Sequence, residues 1–445
     1  MRKHLPLLAI CLGYFMVIVD ATIVNVALPS IGRELGAGVS SLQWVVDAYT
    51  VVFAGLLLSA GSLGDRVGAR RVFGAGLLVF TVASAVCAAA PSVALLITAR
   101  VAQGVGAAML VPSSLALLRA SYERPSERAR AVGAWGAIAG VGAASGPVLG
   151  GLLVGLISWR AVFVVNVPVG ALALLLSARH LPVARGRRVR GFDPPGQALA
   201  IAALSLVTLG LIEGGDAGWG SPAALVPLAA FVPAALAFLY VERRHRDPML
   251  PLALFRSRTF SGASFVGLAI NLGFYGQLFA IVFYFQHVRG YSALVTGLAL
   301  LPEGAFVAIA SAVSGRVTGR VGPRAPMLFG LTLGAAGFAG LIAAGRTTSY
   351  ALLVPALIAA GFGMALTMPA ATAAVIESAP AERAGIASGV LNAARQAGGA
   401  VGVALLGTLI AGGSLVSGLH LAMASSACAF AVAAAVTAVA VRPSR

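Results

Sequence analysis

Charged residues are scarce in this chain of 445 residues. Aspartate, glutamate, lysine and arginine make up 10% of it, whereas soluble domains carry roughly 25%. Hydrophobic residues make up 59%. A globular protein with so few charged residues would lack the polar surface that solubility in water requires. The composition therefore excludes the soluble classes and indicates an integral membrane protein.

Polar interruptions are also rare in the long apolar runs. Each run spans about 20 residues, enough to cross a hydrocarbon core of about 30 Å as a helix, and none alternates as a barrel strand does. Asp20 interrupts the first run and no cleavage site follows, so we expect a retained helix rather than a signal peptide. The sequence predicts an all-α membrane protein with fourteen spans, near 6–28, 42–62, 72–90, 94–118, 131–156, 161–180, 196–212, 223–241, 260–284, 292–314, 325–344, 350–374, 385–411 and 417–441.

Cysteine and histidine are too few and too scattered for a metal or disulfide site. The three cysteines fall inside apolar runs without paired spacing, and none of the five histidines has a partner at helical metal-ligand spacing. The sequence contains no GxSxG or Walker-type motif. A membrane-embedded enzyme is therefore a remote alternative, and we expect no ATP drive within the chain, no metal and no cofactor.

Lysine is almost absent, with one residue against thirty arginines, and the net charge of +17 raises the question of a nucleic-acid partner. If the N-terminus is cytoplasmic, 25 of the 31 basic residues lie on that side, four lie opposite, and Arg100 and Arg395 lie within helices. This asymmetry follows the positive-inside rule. We therefore expect a multi-pass protein of the bacterial inner membrane with both termini cytoplasmic, anionic lipid beside the basic loops and no nucleic acid.

An internal repeat organises the chain. GSLGDRVGAR at 61–70 aligns with GRVTGRVGPR at 315–324, and a second match, ERA, recurs at nearly the same offset of 254 to 255 residues. Parallel repeats of this kind build many secondary transporters, with the substrate site between the halves. We predict an N-terminal six-helix bundle over 1–182, a linker with two inserted helices over 183–258 and a C-terminal six-helix bundle over 259–445.

A family likeness runs through several motifs. They include VDATIVNVALPSI (19–31), GSLGDRVGARR (61–71), RVAQGVGAAM (100–109), GAASGPVLGG (142–151) and WRAVFVVNVPVG (159–170). With them the chain resembles the major facilitator superfamily, and more narrowly its fourteen-helix drug:proton antiporters, such as the methylenomycin-type exporters of actinomycetes. The resemblance implies a major facilitator fold, two six-helix bundles plus two inserted helices, and a transporter rather than an enzyme.

The resemblance makes the loop after the second helix a gating latch. Its glycines would let the neighbouring half approach, its aspartate favours the N-terminal dipole of the third helix, and its arginines supply partners. The second repeat has Gly319 in place of the aspartate, so we expect gating to rest mainly on the first copy. A tight turn with basic anchors is the alternative. The expected latch residues are Gly61, Gly64, Asp65, Arg66, Arg70 and Arg71.

Proton coupling is expected at charges inside the membrane, because each costs at least about 2.5–3.5 kcal/mol there. Asp20, Asp47 and Arg100 lie at similar depths, and the resemblance assigns the first-helix aspartate and the fourth-helix arginine to coupling. Burial disfavours a charged carboxylate and a guanidinium favours it, so a group of the three would take up and release a proton. A static ion pair is the alternative. Glu303, beside Pro302, is a candidate second proton or cation site.

GAASGPVLGG marks exporters within the superfamily that the chain resembles. The Gly-Pro step frees a backbone carbonyl and bends the fifth helix, and the final glycines leave no side chain at the helix interface. Ordinary helix packing is the alternative. The residues expected to form this antiporter motif are Gly142, Gly146, Pro147, Gly150 and Gly151.

Polar and aromatic side chains on several helices are candidates for the substrate cavity. An aromatic, mildly polar wall suits flat lipophilic compounds, and membrane acids favour cations. Helix packing and lipid contact are the alternatives. The candidates are Asn25 and Gln103 in the first half, Asn271, Tyr275, Gln277, Phe279 and Phe283 in the ninth helix, and Asn392, Arg395 and Gln396 in the thirteenth.

These features predict proton-coupled efflux of lipophilic drugs or antibiotics, cations included, by alternating access. The proton is the coupling ion, the substrate is a small molecule, and a monomer in the bilayer is expected. Export of an endogenous metabolite, a siderophore or a lipid is the alternative within the same class.

Overall fold

A computed structural model describes residues 4–122, 124–182, 193–380, 383–412 and 414–442. These residues are almost all helical, and no strand occurs among them. Thirteen helices are long and apolar enough to cross a membrane. One further helix of 18 residues, Arg324–Leu341, packs among them. The described part of the chain thus agrees with the prediction of fourteen apolar helices.

The helices are numbered in chain order. The first bundle contains α1 (Leu5–Leu35), α2 (Val39–Val67), α3 (Ala69–Ala89), α4 (Val93–Ser121), α5 (Pro125–Leu156) and α6 (Ala161–His180). The inserted pair is α7 (Pro194–Asp216) and α8 (Pro222–Arg244). The second bundle contains α9 (Arg258–Val288), α10 (Ala293–Val321), α11 (Arg324–Leu341), α12 (Tyr350–Glu377), α13 (Ala384–Ala411) and α14 (Leu415–Ala440). The predicted boundary at residue 182 adjoins residues 183–192, which lie outside the described part.

The repeat seen in the sequence recurs in the structure. Helices α1 and α9 have 31 residues each, and α2 and α10 have 29 each. In each bundle a glycine in the left-handed region turns the chain between the second and third helices, Gly68 at φ 100° and Gly322 at φ 74°. Just after these turns, Arg70 and Arg324 each donate to a backbone carbonyl in the last helix of their own bundle, at 2.5 and 2.6 Å. The two bundles are therefore copies of one unit.

Two helix pairs join the bundles. Helix α5 packs against α10, and α2 packs against α13. The inserted helix α7 contacts both α2 and α13, and α8 packs against α7. Gln197 on α7 donates to the backbone carbonyl of Gly55, and Thr408 on α13 donates to that of Leu211 at 2.7 Å. The inserted pair therefore covers one of the two seams between the bundles.

The two ends of the molecule differ in charge. We call the end that carries the turn at Gly68 and the other arginine-rich loops the basic end, and the other the opposite end. Near the opposite end Gln286 on α9 donates to the carbonyl of Val26 on α1, at 3.0 Å. Gln43 on α2 donates to the carbonyl of Ala404 on α13, at 2.7 Å. These bonds tie the bundles together near that end.

Candidate functional site

A buried ion pair lies in the core of the first bundle. Asp20 on α1 and Arg100 on α4 form a salt bridge, and the two residues are 0% and 1% exposed. Arg100 also donates to the backbone carbonyl of Val45 on α2, at 2.9 Å, and its guanidinium lies 4.2 Å from the centre of the Tyr49 ring. The structure thus brings together two of the three residues expected to form the proton-coupling group.

Amide side chains complete the surroundings of the Asp20 carboxylate. Gln103 donates to Asp20 Oδ1 at 3.3 Å and accepts from Arg100 Nη1 at 2.9 Å. It also donates to Ser84 Oγ at 2.8 Å, so this residue, expected in the cavity, belongs to the ion-pair network. Asn166 donates to Asp20 Oδ1 at 3.0 Å. Side chains of α4 and α6 therefore bind this carboxylate directly, while α2 and α3 hold its partners Arg100 and Gln103.

Asn166 is the functional candidate that the sequence analysis missed. It lies inside the WRAVFVVNVPVG motif, and α6 is interrupted at Val165, just before it. The interruption thus lies directly before the residue of this apolar helix whose side chain donates to Asp20. A single amide within an apolar span was the available signal, because buried polar groups in membrane helices need partners.

Asp47 does not join Asp20 and Arg100, which corrects the expected group of three. Its side chain is fully buried, and neither carboxylate oxygen has a hydrogen-bond partner among the described residues. Asp47 precedes Tyr49 by two residues, about 200° around the helix, and the Tyr49 ring is the one that faces Arg100. Similar depth in the membrane therefore did not place Asp47 on the same helix face.

Glu303 is buried inside the second bundle. It is 4% exposed, and Oε2 accepts from Gln277 on α9 at 3.4 Å. The Glu303 side chain packs against α12, where a Cβ atom on Gly361 would lie only 2.7 Å from Glu303 Cγ. Gln277, expected in the substrate cavity, therefore packs between helices beside Glu303. No basic side chain forms an ion pair with Glu303 in the part of the chain that the structure describes.

A small cavity lies where the bundles meet. Its volume is about 10 Å³, far below the roughly 300 Å³ of a small-molecule pocket, so the bundles are closed around it. None of the described lining residues is acidic, although membrane acids were the reason to expect cations. The lining residues are Ala21, Val46, Tyr49, Thr50, Arg100, Tyr275, Gln396, Gly399 and Val403.

The structure separates the predicted cavity residues into two groups. Tyr275 and Gln396 line the cavity, as expected. Phe279 and Phe283 do not line the cavity. They are buried in the core and stack on one another, with ring centres 4.9 Å apart. Asn271 is also buried, at 2% exposure.

Asn25 is buried against its own helix instead of facing the cavity. Its side-chain amide donates to the carbonyl of Ala21 at 3.2 Å. Eight of the ten predicted residues do not line the cavity in this closed arrangement: Asn25, Gln103, Asn271, Gln277, Phe279, Phe283, Asn392 and Arg395.

Arg395 on α13 lies close to the cavity, one residue before Gln396. Its guanidinium donates to Asn392 Oδ1 at 3.2 Å and to the sulfur of Met368 at 3.0 Å. Tyr275 of α9 packs on the same helix, since a Cβ atom on Gly399 would lie 3.4 Å from its ring. Among the described residues Arg395 has no ion pair. The thirteenth-helix candidates thus form a polar group with a cation at its centre.

A larger cleft of about 380 Å³ lies open at the surface of the opposite end. Its acid, Glu34, forms a salt bridge with Arg160 and accepts from Trp159 Nε1 at 2.7 Å. These contacts remain within the first bundle. Because the charges are paired with each other and the cleft lies outside the bundle interface, it is a poor candidate for the transport site.

The expected latch lies at the basic end, but its glycines face their own bundle. A Cβ atom on Gly61 would lie 3.6 Å from Pro112 of α4, and one on Gly64 would lie 3.5 Å from Ser113 of α4. The expectation that they admit the neighbouring half is therefore corrected. The charged latch residues are Asp65 and Arg66 in the last turn of α2, and Arg70 and Arg71 in the first turn of α3.

The glycines of the antiporter motif pack α5 onto two different helices. A Cβ atom on Gly146 would lie 1.9 Å from Thr22 Oγ1 on α1, and Gly142 and Gly150 face α1 as well. Gly151 faces α10 of the other bundle, where a Cβ atom would lie 2.7 Å from the carbonyl oxygen of Ala293. Helix α5 continues through Pro147. The motif therefore allows close backbone contact within one bundle and between the two.

Comparison with known proteins identifies the family. The sequence model of the family described as "Major Facilitator Superfamily" matches residues 10–403 of this chain. The chain belongs to the Major Facilitator Superfamily. It is therefore a transporter rather than an enzyme, and the fourteen helices of its described part are the two six-helix bundles of a major facilitator fold plus an inserted pair. A bacterial homologue of the human lysosomal transporter Spinster, solved in an inward-facing unoccupied conformation, has the same fold, with a TM-score of 0.69 and 18% identity over 99% of this chain and 97% of that one.

Among relatives within the Major Facilitator Superfamily are antibiotic-resistance proteins. The chain is 42% identical to the multidrug resistance protein Stp of Mycobacterium tuberculosis, over 92% of this chain and 76% of that protein. It is 37% identical to the methylenomycin A resistance protein of Streptomyces coelicolor, over 92% of this chain and 87% of that protein. These similarities support a multi-pass membrane exporter of small molecules and confirm the family predicted from the motifs.

Proposed function

We propose that the protein exports lipophilic drugs or antibiotics across the bacterial inner membrane in exchange for protons. Relatives with 42% and 37% identity are named as multidrug and methylenomycin A resistance proteins, which supports drug export. The basic end is the cytoplasmic end in this proposal, because the positive-inside rule places arginine-rich loops there. The working unit is a monomer of two bundles, 1–182 and 259–445, joined by the linker 183–258.

The observation that carries the proposal is the buried Asp20–Arg100 pair beside the central cavity. Asp20 is the one membrane acid with a cationic partner among the described residues, and Arg100 also lines the cavity. A proton on Asp20 would remove its negative charge and end the ion pair. Arg100 would keep neutral acceptors, the Val45 carbonyl and Gln103 Oε1, so the loss can be tolerated without unfolding.

The protein would exchange substrate for protons if the two compete for the Asp20–Arg100 network. A substrate in the cavity would contact Arg100 and Tyr49, which line it, and Arg100 is held by its salt bridge with Asp20. Proton binding from the opposite side would favour substrate release there, and proton loss to the cytoplasm would restore the pair and the substrate site. Alternating access of the two bundles then couples the two fluxes in opposite directions.

Proton movement in everted membrane vesicles tests this proposal. Vesicles with an acid interior receive a panel of neutral, cationic and anionic antibiotics, and the interior pH is followed with a fluorescent dye. We expect at least one compound to dissipate the gradient with the parent protein and not with the Asp20→Asn variant. Asp216→Asn, which removes an exposed carboxylate at the end of α7, is the matched control and should behave like the parent. Equal dissipation with and without Asp20 would refute the coupling.

A further inference from the structure

We infer that Arg395 is a recognition site for a negatively charged group on the substrate, so that the transported compounds include acids. This inference rests on the proposed function and adds the class of substrate to it. Arg395 is part-buried near the middle of α13, 11 residues from the start of the helix and so roughly 16 Å from the basic end. A guanidinium so deep in a membrane protein is costly unless an anion accompanies it.

The contacts of Arg395 with the described residues include no counterion. Its hydrogen-bond acceptors, Asn392 Oδ1 and the Met368 sulfur, are neutral. Its buried Nε atom has no hydrogen-bond partner among the described residues. The arginine stem packs against α9, where a Cβ atom on Gly267 would lie 3.1 Å from Arg395 Cγ. The position of the side chain is thus set by packing, while part of its capacity to donate is unused.

Arg100 provides the contrast within the same molecule. Both arginines lie in the membrane interior. Arg100 lines the central cavity, and Arg395 directly precedes the lining residue Gln396. Arg100 is neutralised by Asp20, but Arg395 is not neutralised by any described residue. The remaining membrane acids, Asp47 and Glu303, are buried elsewhere and form no ion pair among the described residues. The cavity region therefore carries an uncompensated positive charge.

The surroundings of Arg395 suit an aromatic acid. Tyr275 on α9 and Tyr49 on α2 both line the cavity, and Tyr275 also packs on α13, where a Cβ atom on Gly399 would lie 3.4 Å from its ring. Aromatic faces accept a flat ring, and a guanidinium donates two parallel hydrogen bonds to a carboxylate or sulfonate. Tyr49 belongs to the first bundle and Tyr275 to the second, so a flat ring bound in the cavity would contact both.

Matched acids and amides test the inference. The purified protein in nanodiscs of uncharged lipid is titrated by calorimetry with 2-naphthoate and 9-anthracenecarboxylate, each compared with its primary amide. We expect at least one acid to bind about tenfold or more tightly than its amide, as a charge-assisted contact allows. Arg395→Gln should abolish this preference while amide binding persists, and Arg395→Lys should keep part of it.

Controls separate this inference from the proposed function. Arg346→Gln removes an exposed positive charge at the opposite end and should keep the preference for acids. If Arg395→Gln does not fold, Arg395→Met is used instead, since Met368 shows that a thioether fits this site. The inference is overturned if neither acid binds more tightly than its amide to the parent, or if the preference survives the loss of Arg395. Binding requires no proton gradient, so drug:proton exchange in the vesicle assay can succeed or fail independently.

Discussion

Gly297 brings α10 of the second bundle against the backbone of α5 in the first. A Cβ atom at this position would lie 2.5 Å from the carbonyl oxygen of Pro147 and 3.2 Å from Gly151 Cα. These are backbone atoms, so no side-chain rotation relieves the contact. Gly297→Ala therefore requires the two helices to separate by about 1 Å, because ordinary contacts begin near 3.5 Å.

The variant acts on the closed arrangement because the contact joins the two bundles. Overpacking of this kind costs about 1–3 kcal/mol. If the contact opens when the bundles rock, the whole cost falls on the state closed at the opposite end. The population of that state relative to the open one then drops about 5- to 150-fold. Gly315→Ala in the same helix is the matched control, because nothing lies within 4 Å of its Cβ position.

Spin-label distances across the opposite end measure this shift. The exposed Cys428 and the buried Cys11 and Cys87 are first replaced, and labels are attached at Ile157 of the first bundle and Thr347 of the second, both exposed. We expect Gly297→Ala to lengthen the distance or broaden its distribution, and Gly315→Ala to leave it unchanged. A folded Gly297→Ala protein with the parent distance distribution would refute the argument.

Three further predictions follow from the geometry. Gly146→Ala should lower the thermal unfolding temperature, because its Cβ would lie 2.8 Å from Thr22 Cβ, which no rotamer moves, whereas Gly136→Ala has open space and should be neutral or slightly stabilising. Asn166→Leu should keep the protein folded but slow substrate-induced proton movement in vesicles, because it removes a donor from Asp20; unchanged rates would contradict this role. Arg324→Gln should destabilise the protein by about 1 kcal/mol through loss of the α14 carbonyl contact, measured by thermal unfolding; no change would show that the contact is fully exchanged for water.

The fold was largely predictable because a membrane leaves few choices. Apolar runs must be helices, so their number predicted the helix count, and the GSLGDRVGAR repeat predicted the duplication. The repeat even located the turns, since Gly68 and Gly322 occupy equivalent positions with positive φ. The family likeness of the motifs predicted the same fold, and the comparisons confirm it.

The site was less predictable because depth along a helix is easier to read than the direction of a side chain. Asp20 and Arg100 meet, but Asp47 at similar depth faces another way. Phe279 lies one turn beyond Tyr275 on α9, yet it is buried and stacks on Phe283 instead of lining the cavity. Such differences depend on how closely the second bundle approaches, which the sequence of one helix does not encode.

The most direct test of the account is proton release on substrate binding. The purified protein in weakly buffered solution receives the compound selected by the vesicle assay, and the pH of the solution is recorded. The account predicts that binding releases protons from the parent and that Asp20→Asn binds the compound without this release. Binding to the parent with no proton release, or equal release from Asp20→Asn, would contradict the claim that Asp20 exchanges a proton for substrate.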